Sequence, residues 1–226
     1  MLRTLKEFWW ALRSPEERLH MKYVLVRGMP GPYGFRLREK VLRPYLAAMG
    51  EQVLVHEDVR IRGIHKLRLG DRVHVGVGNF LQASGGITIG DDTLLGPGVK
   101  IWTTTHVFAD PDRPIREQGS EYREVVVGRD CWIGADTFIM PGTTLGDGCV
   151  VSAGSLVGAK TYPPLTILAG NPARVIGRRQ RRAQEGGSPD EGSPDEGCPD
   201  EGCPDEGCPD EGSPADGPPE DGNGAG

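Results

Sequence analysis

From Val127 one aliphatic residue recurs at every sixth position: Val127, Ile133, Ile139, Leu145, Val151 and Val157. The fifth residue of each hexad is small (Cys131, Thr137, Thr143, Cys149, Ser155), and Gly follows the aliphatic residue at Gly128, Gly134, Gly146 and Gly158. A helix repeats near 3.6 residues and a strand near 2, so a sustained period of six fits neither alone. It predicts an all-β parallel β-helix, in which each hexad is a short strand plus a turn and the aliphatic residue points inward. Upstream the same pattern is less even. Val55 and Ile61 open it, Leu69, Val75, Leu81 and Ile87 continue it, and the frame then slips by two to Ile89, Leu95 and Ile101. The slip falls at Ser84-Gly85-Gly86, which reads as a widened corner. Three hexads per coil give about five coils. The polar stretch 103–124, with Pro111, Pro114 and Gly119, reads as a loop inserted at a corner, where solenoids commonly place binding residues. The repeat ends at Tyr162-Pro163-Pro164, and a last strand is expected over Leu165 to Ala169.

Residues 1–50 lack the hexads and read as a helical cap. Ser14-Pro15-Glu16-Glu17 is a capping box that predicts a helix from Pro15 to about Arg27, stopped at Gly28. A shorter apolar segment with Trp9 and Trp10 precedes it. A further helix is expected over Phe35 to Met49, with Pro44 as a kink or break and Gly50 just past its end. The solenoid domain then covers 51–184, and residues 185–226 form a separate tail.

Charge separates these parts. The tail repeats Ser/Cys-Pro-Asp-Glu-Gly and holds fourteen acidic residues and no basic ones, so the net charge of −6 leaves residues 1–184 at +8. So few apolar side chains cannot offset the entropy of ordering, and the tail is expected to be disordered. The first fifty residues carry ten Lys/Arg against four Glu, interleaved with aromatic and aliphatic residues. Two readings fit them: a cap over the open end of the solenoid, and peripheral contact with an anionic membrane surface. No nucleic-acid motif accompanies the charge, so nucleic acid is not an expected partner. No stretch approaches the ~20 apolar residues needed to cross a bilayer, and no secretory leader is evident. Cys131 and Cys149 are eighteen residues apart, one coil, and should stack as small buried thiols in a reducing, cytoplasmic setting. Cysteine and histidine spacings match no zinc pattern, and no metal is expected.

Of the five histidines, His20, His56, His65 and His74 lie in the cap or the irregular early coils. His106 stands apart, because it ends Ile101-Trp102-Thr103-Thr104-Thr105-His106, where the repeat gives way to the inserted loop. A loop beside a rigid scaffold is where sites are built.

Three segments resemble the hexapeptide-repeat acyltransferases, in the branch of galactoside, maltose and polysaccharide-modifying O-acetyltransferases. They are Thr88-Ile89-Gly90-Asp91 with His106 seventeen residues beyond Ile89, Gly128-Arg129-Asp130-Cys131-Trp132-Ile133-Gly134-Ala135, and Ala169-Gly170-Asn171-Pro172-Ala173-Arg174-Val175-Ile176. The resemblance covers about residues 52–178. It implies a left-handed coil, a homotrimer, acetyl-CoA as donor in a groove between two copies, and a saccharide or other small hydroxylated acceptor. It places His106 as general base and the Ala135 amide as oxyanion donor. Coenzyme contacts carry over to Trp132, Ala135, Ala153, Gly154, Lys160 and Arg174, with Arg178 or Arg179 standing in for a basic residue that the family often has where Gly177 lies. The family's acceptor-holding Asn and Asp positions are Gly76, Gly78 and Ser84 here, so the galactoside pocket is not reproduced. Asn79, Ser84 and Trp102 are the acceptor candidates left, and the loop residues Asp110, Arg113, Arg116, Glu121 and Tyr122 are expected to shape, with Trp102, a different pocket. An amine or antibiotic acceptor and a non-catalytic scaffold remain alternatives. A γ-type carbonic anhydrase, which shares the solenoid, needs three His ligands, and no His follows His106.

Overall fold

The structure, a computed structural model, describes residues 15–180. The Trp9-Trp10 segment, the Ser14 cap, Arg181, Arg182 and the acidic tail with its three cysteines lie outside these residues.

Five complete coils stack, with a partial sixth. They are β1 (Ala48–Met49), β2 (Leu54–Val55) and β3 (Arg60–Arg62); β4 (Leu67–Leu69), β5 (His74–Val75) and β6 (Phe80–Gln82); β7 (Ile87–Ile89), β8 (Leu94–Leu95) and β9 (Lys100–Trp102). The hairpin β10 (Thr104–His106) and β11 (Ser120–Tyr122) interrupts the series. It resumes with β12 (Val125–Val127), β13 (Trp132–Ile133) and β14 (Phe138–Ile139); β15 (Thr144–Leu145), β16 (Val150–Val151) and β17 (Leu156–Val157); then β18 (Thr161–Tyr162), β19 (Thr166–Gly170) and β20 (Ala173–Arg178). Like strands pair in parallel into three sheets, β1-β4-β7-β12-β15-β18, β2-β5-β8-β13-β16-β19 and β3-β6-β9-β14-β17, and β20 folds back antiparallel on β19. The prism therefore has a second-to-third edge and a third-to-first edge.

The inward positions explain the hexads. Val127, Ile133, Ile139, Leu145, Val151 and Val157 are all buried, as are Cys131, Thr137, Thr143, Cys149 and Ser155 between them. Gly follows the aliphatic residue because coils are close-packed there. A β-carbon on Gly134 would collide with the Ala153 backbone, and one on Gly146 with Pro164. Asn79, expected at the acceptor site, is a correction. It is fully buried inside the coil, where its Oδ1 accepts the Val99 amide at 2.7 Å. It serves the ladder and cannot reach an acceptor.

The early irregularity has one location. Partners are twenty residues apart in the first coils (Val55 with Val75, Leu81 with Ile101) and eighteen later (Ile133 with Val151). The extra residues all sit at the third-to-first edge, at 63–66, at 83–86 and, as the long insertion, at 103–124. That insertion is not featureless, for it holds the β10–β11 hairpin and a short helix, Ile115–Gln118.

Two helices lie against the first coil. α1 (Pro15–Arg27) spans the expected residues and turns Leu19, Tyr23 and Val26 inward, spaced i, i+4, i+7. α2 (Gly31–Leu42) departs from the expected Phe35–Met49. Pro44 has no amide to continue the ladder, so the chain tightens to a 3-10 turn, Arg43–Tyr45, and Ala48–Met49 becomes a strand instead. Arg38, fully buried, clasps the cap. Its Nε donates to the Val55 carbonyl at 2.7 Å, and its Nη1 serves the carbonyls of Val26, Arg27 and Met29 at the end of α1. Gly34 makes room for this clasp, since a β-carbon there would strike the Met29 carbonyl. Arg38→Ala strands these carbonyls and the Glu57 carboxylate, and is expected to lower unfolding stability by about 3–5 kcal/mol. Urea denaturation at fixed protein concentration measures this as a midpoint shift; a midpoint within error of wild type would refute it.

Candidate active site

His106 is held by a hairpin with a rigid root. Thr103, fully buried, donates its hydroxyl to the Gln82 carbonyl and receives the Gly85 amide at 2.8 Å. Its own carbonyl takes the Arg123 amide at 2.9 Å, so the chain leaves and rejoins the coil through one residue. Three residues on, His106 pairs across the hairpin with Ser120. Ser120 Oγ lies 3.4 Å from His106 Nδ1, and Nε2 has no protein partner among the described residues. The loop beyond is tied to itself. Gln118 bonds the Asp110 carbonyl at 2.7 Å and the Arg113 carbonyl at 2.8 Å, and Arg113 reaches the Glu117 carbonyl.

Beside His106 lies a cleft of ≈ 360 Å³ lined by Val107, Phe108, Glu121, Arg123 and, from the next two coils, Met140, Pro141 and Ala159. Arg123 and Glu121 form an ion pair of 2.7 Å on its wall. Lys160 follows Ala159 on this same edge.

The other expected residues are distributed elsewhere. Ala135, Ala153 and Gly154 form turns at the second-to-third edge. No atom lies within 4 Å of the point where a β-carbon on Gly154 would sit, so this corner is open. Pro141 is six positions beyond Ala135, so the two edges are up to roughly 20 Å apart. Trp132 stands 56% exposed on the outer face of the second sheet, above a shallow depression with Asp92, Leu94, Val150 and Arg179. Trp102 faces outward on the third sheet, edge-on to Phe80 at 4.9 Å and stacked on Phe138 at 6.0 Å. Ser84 bonds Gln82 Oε1 at 2.8 Å and lines a different, larger cleft with His20 and His65. Arg174, on β20, and Lys160 make no ion pair among the described residues, and Arg178 only touches the Pro164 carbonyl at 3.4 Å. Arg179 pairs with Asp130 at 2.9 Å.

The thiols are excluded as nucleophiles. Both Cys131 and Cys149 are free and buried. Burial pushes the Cys131 thiol up to about 11, and raises Cys149 too, so neither ionises near neutral pH.

Sequence reasoning missed Ser120, Arg123, Met140, Pro141 and Ala159. The last three were within reach, because counting hexads puts the corners after Ile139 and Val157 directly on the corner after Ile101. Ser120 lies in an aperiodic insert, where no spacing announces which residue will face His106.

Residues 124–159 match the family model for bacterial transferase hexapeptide repeats (six repeats). Over 145 residues the chain is 36% identical to the Putative colanic acid biosynthesis acetyltransferase WcaF of Escherichia coli K12, covering 64% of this chain and 76% of that one. The chain belongs to the hexapeptide-repeat acetyltransferases. Among solved members, a maltose O-acetyltransferase from Clostridium difficile 630 superposes with a TM-score of 0.65 at 31% identity, over 73% of this chain and 86% of that one. A galactoside acetyltransferase solved in complex with coenzyme A superposes with a TM-score of 0.62 at 27% identity, over 71% and 78% of the two chains. As a family member the protein is an acetyltransferase on a parallel β-solenoid. Among its described residues no group of His, Cys, Asp and Glu could hold a metal ion.

Proposed function

We propose that this protein transfers the acetyl group of acetyl-CoA to a hydroxyl of a saccharide or glycan precursor, with His106 as general base. The observation that carries this reading is the placement of His106 at the mouth of the cleft, on a hairpin anchored through Thr103 and with Ser120 Oγ against Nδ1. With the proton on Nδ1 directed to Ser120, Nε2 is the basic nitrogen. It takes the acceptor hydroxyl proton as the oxygen attacks the thioester carbonyl carbon. The C–S bond then breaks, and the departing thiolate recovers the proton from the imidazolium. A fixed backbone donor steadies the oxyanion, and the Ala135 amide is the candidate.

Ala135 lies on a different edge of the prism from His106. A second copy must therefore bring its second-to-third edge against the first copy's third-to-first edge, and three copies close such a contact into a ring. An outward stripe on the second sheet supports self-association, since Leu94 is 44% exposed and Trp132 56%, with Val150 and Ile167 on the same face. The site also fits the donor. The open turn at Ala153-Gly154 leaves room for a slender pantetheine arm, and the cations Lys160, Arg174 and Arg178, without an ion pair among the described residues, suit the nucleotide phosphates. The reduced, buried thiols fit the cytoplasm, where acetyl-CoA is made. The glycan acceptor is supported by the colanic acid relative.

Incubation with acetyl-CoA and a panel of saccharides, reading free thiol release, tests the reaction; absence of release with every hydroxylated acceptor would overturn it. Lys160→Ala with Arg174→Ala is expected to raise KM for acetyl-CoA about tenfold with kcat little changed. A fall in kcat at constant KM would place these residues in the chemical step instead.

A further inference from the structure

The cap carries a feature that acetyl transfer does not use. Between α1 and α2 the chain bends over Gly28–Pro30, and the bend is apolar and exposed: Val24 is 49% exposed, Leu25 78%, Met29 36% and Tyr33 67%. Elsewhere in α1 and α2 the large apolar residues Leu19, Tyr23 and Leu42 are buried, so this exposure is local. On α1, Arg18, Lys22 and Leu25 share a face at i, i+4, i+7; on α2, Tyr33, Arg36 and Lys40 do so at i, i+3, i+7. Each helix thus presents one large apolar residue beside the bend and two cations behind it. Arg18, Lys22, Arg36 and Lys40 make no ion pair among the described residues, whereas the nearby carboxylates are taken, Asp58 by Arg27, Glu57 by Arg38 and Glu39 by Arg43. The bend is rigid, because Arg38 holds the Val26, Arg27 and Met29 carbonyls, and the Asp58 amide bonds the Arg27 carbonyl at 3.2 Å.

We propose that this elbow docks on an anionic lipid surface, with Leu25, Met29 and Tyr33 at the acyl boundary and the four cations among the headgroups. An apolar tip with four cations behind it that have no ion-pair partner among the described residues matches that surface, where the headgroups are negative and the boundary beneath them is apolar. No helix among the described residues is long and apolar enough to cross a membrane, so the contact is peripheral. A protein partner fits less well, since it would need both a pocket for the tip and acidic groups on two sides of it.

Co-sedimentation of the full-length protein with vesicles tests this without acetyl transfer. Binding is expected to phosphatidylcholine vesicles holding about a third phosphatidylglycerol, and not to pure phosphatidylcholine or at high salt. The pair Leu25→Glu with Tyr33→Glu, and separately Lys22→Glu with Arg36→Glu, should each weaken partitioning about tenfold or more. All four positions are exposed, so both variants should keep the thermal midpoint and the gel-filtration size of wild type. Residues 1–14 are unchanged in both, so any binding through them stays constant. Wild-type binding that both variants retain, or no binding to anionic vesicles, would overturn the proposal. Loss in the charge variant alone would also overturn it, by showing adsorption without insertion of the tip.

Discussion

His106→Ala is expected to lower kcat for acetyl transfer by about 10²–10⁴-fold, the usual worth of a positioned general base. A hydroxyl stays protonated at neutral pH, so without an acceptor for its proton the attack on the thioester carries an unfavourable oxonium. Among the described residues that line the cleft, Glu121 is the only other group that could serve as a base. Glu121 is tied to Arg123 at 2.7 Å, and the buried Cys131 and Cys149 hold their protons. The fold should not notice the change, because His106 is exposed and its one polar contact is the 3.4 Å approach to Ser120. Steady-state kinetics with saturating acceptor, set beside the thermal midpoint and the affinity for acetyl-CoA, separates the two effects. A kcat within tenfold of wild type in a folded variant would remove His106 from the mechanism. Ser120→Ala gives a finer comparison: Thr103 still roots the hairpin, so any loss should fall on kcat and be smaller than that of His106→Ala.

How much of this was legible beforehand depended on period. The inward aliphatic and small residues from Val127 to Val157 specify a coil, because each rung repeats the same packing problem and answers it with the same residue classes. Ser84-Gly85-Gly86 was legible as a corner for the complementary reason, that two extra residues can leave the ladder only where the chain turns. His106 could be singled out because it stands where the period fails. What failed to show were facts of three-dimensional proximity. Asn79 read as a site residue because it lies next to the family's acceptor-holding positions, although out of register with them; its inward side chain instead accepts the Val99 amide. The end of α2 was misplaced because the apolar run from Leu42 to Met49 suits a helix face and a strand alike, and Pro44 decided between them only once β1 had a neighbour in β4. No spacing sets Arg38 apart from the other cations of the first fifty residues, yet it is the buried clasp of the cap. The division of His106 and Ala135 between two edges follows from register, since the corner after Ile133 and the corner after Ile139 cannot coincide.

That division gives the oxyanion assignment a clean test in Ala135→Pro. Ala135 occupies the same turn position as Val77, Pro97 and Ala153 in the neighbouring coils, two residues beyond the paired Val75, Leu95, Ile133 and Val151. The next residue is left-handed in every case, at φ 69° for Gly78, 69° for Gly98, 55° for Asp136 and 67° for Gly154. This is a type II turn, whose second position takes Pro without strain. The flanking amides belong to the ladder, Gly134 to the Val151 carbonyl and Asp136 to the Pro97 carbonyl, while the Ala135 amide joins none of these bonds. Coil three already carries Pro at this place, so the substitution removes one N–H and leaves the backbone path intact. If that N–H stabilises the oxyanion, kcat should fall by about 10²–10³-fold, with the thermal midpoint and the oligomeric state unchanged. Ala135→Gly keeps the amide and should retain nearly full activity, and Val77→Pro makes the same change in a remote coil and should cost nothing. A folded Ala135→Pro enzyme turning over at the wild-type rate would move the oxyanion donor elsewhere. Loss in both Ala135→Pro and Ala135→Gly would assign the effect to the methyl group and its contact with the donor rather than to the hydrogen bond.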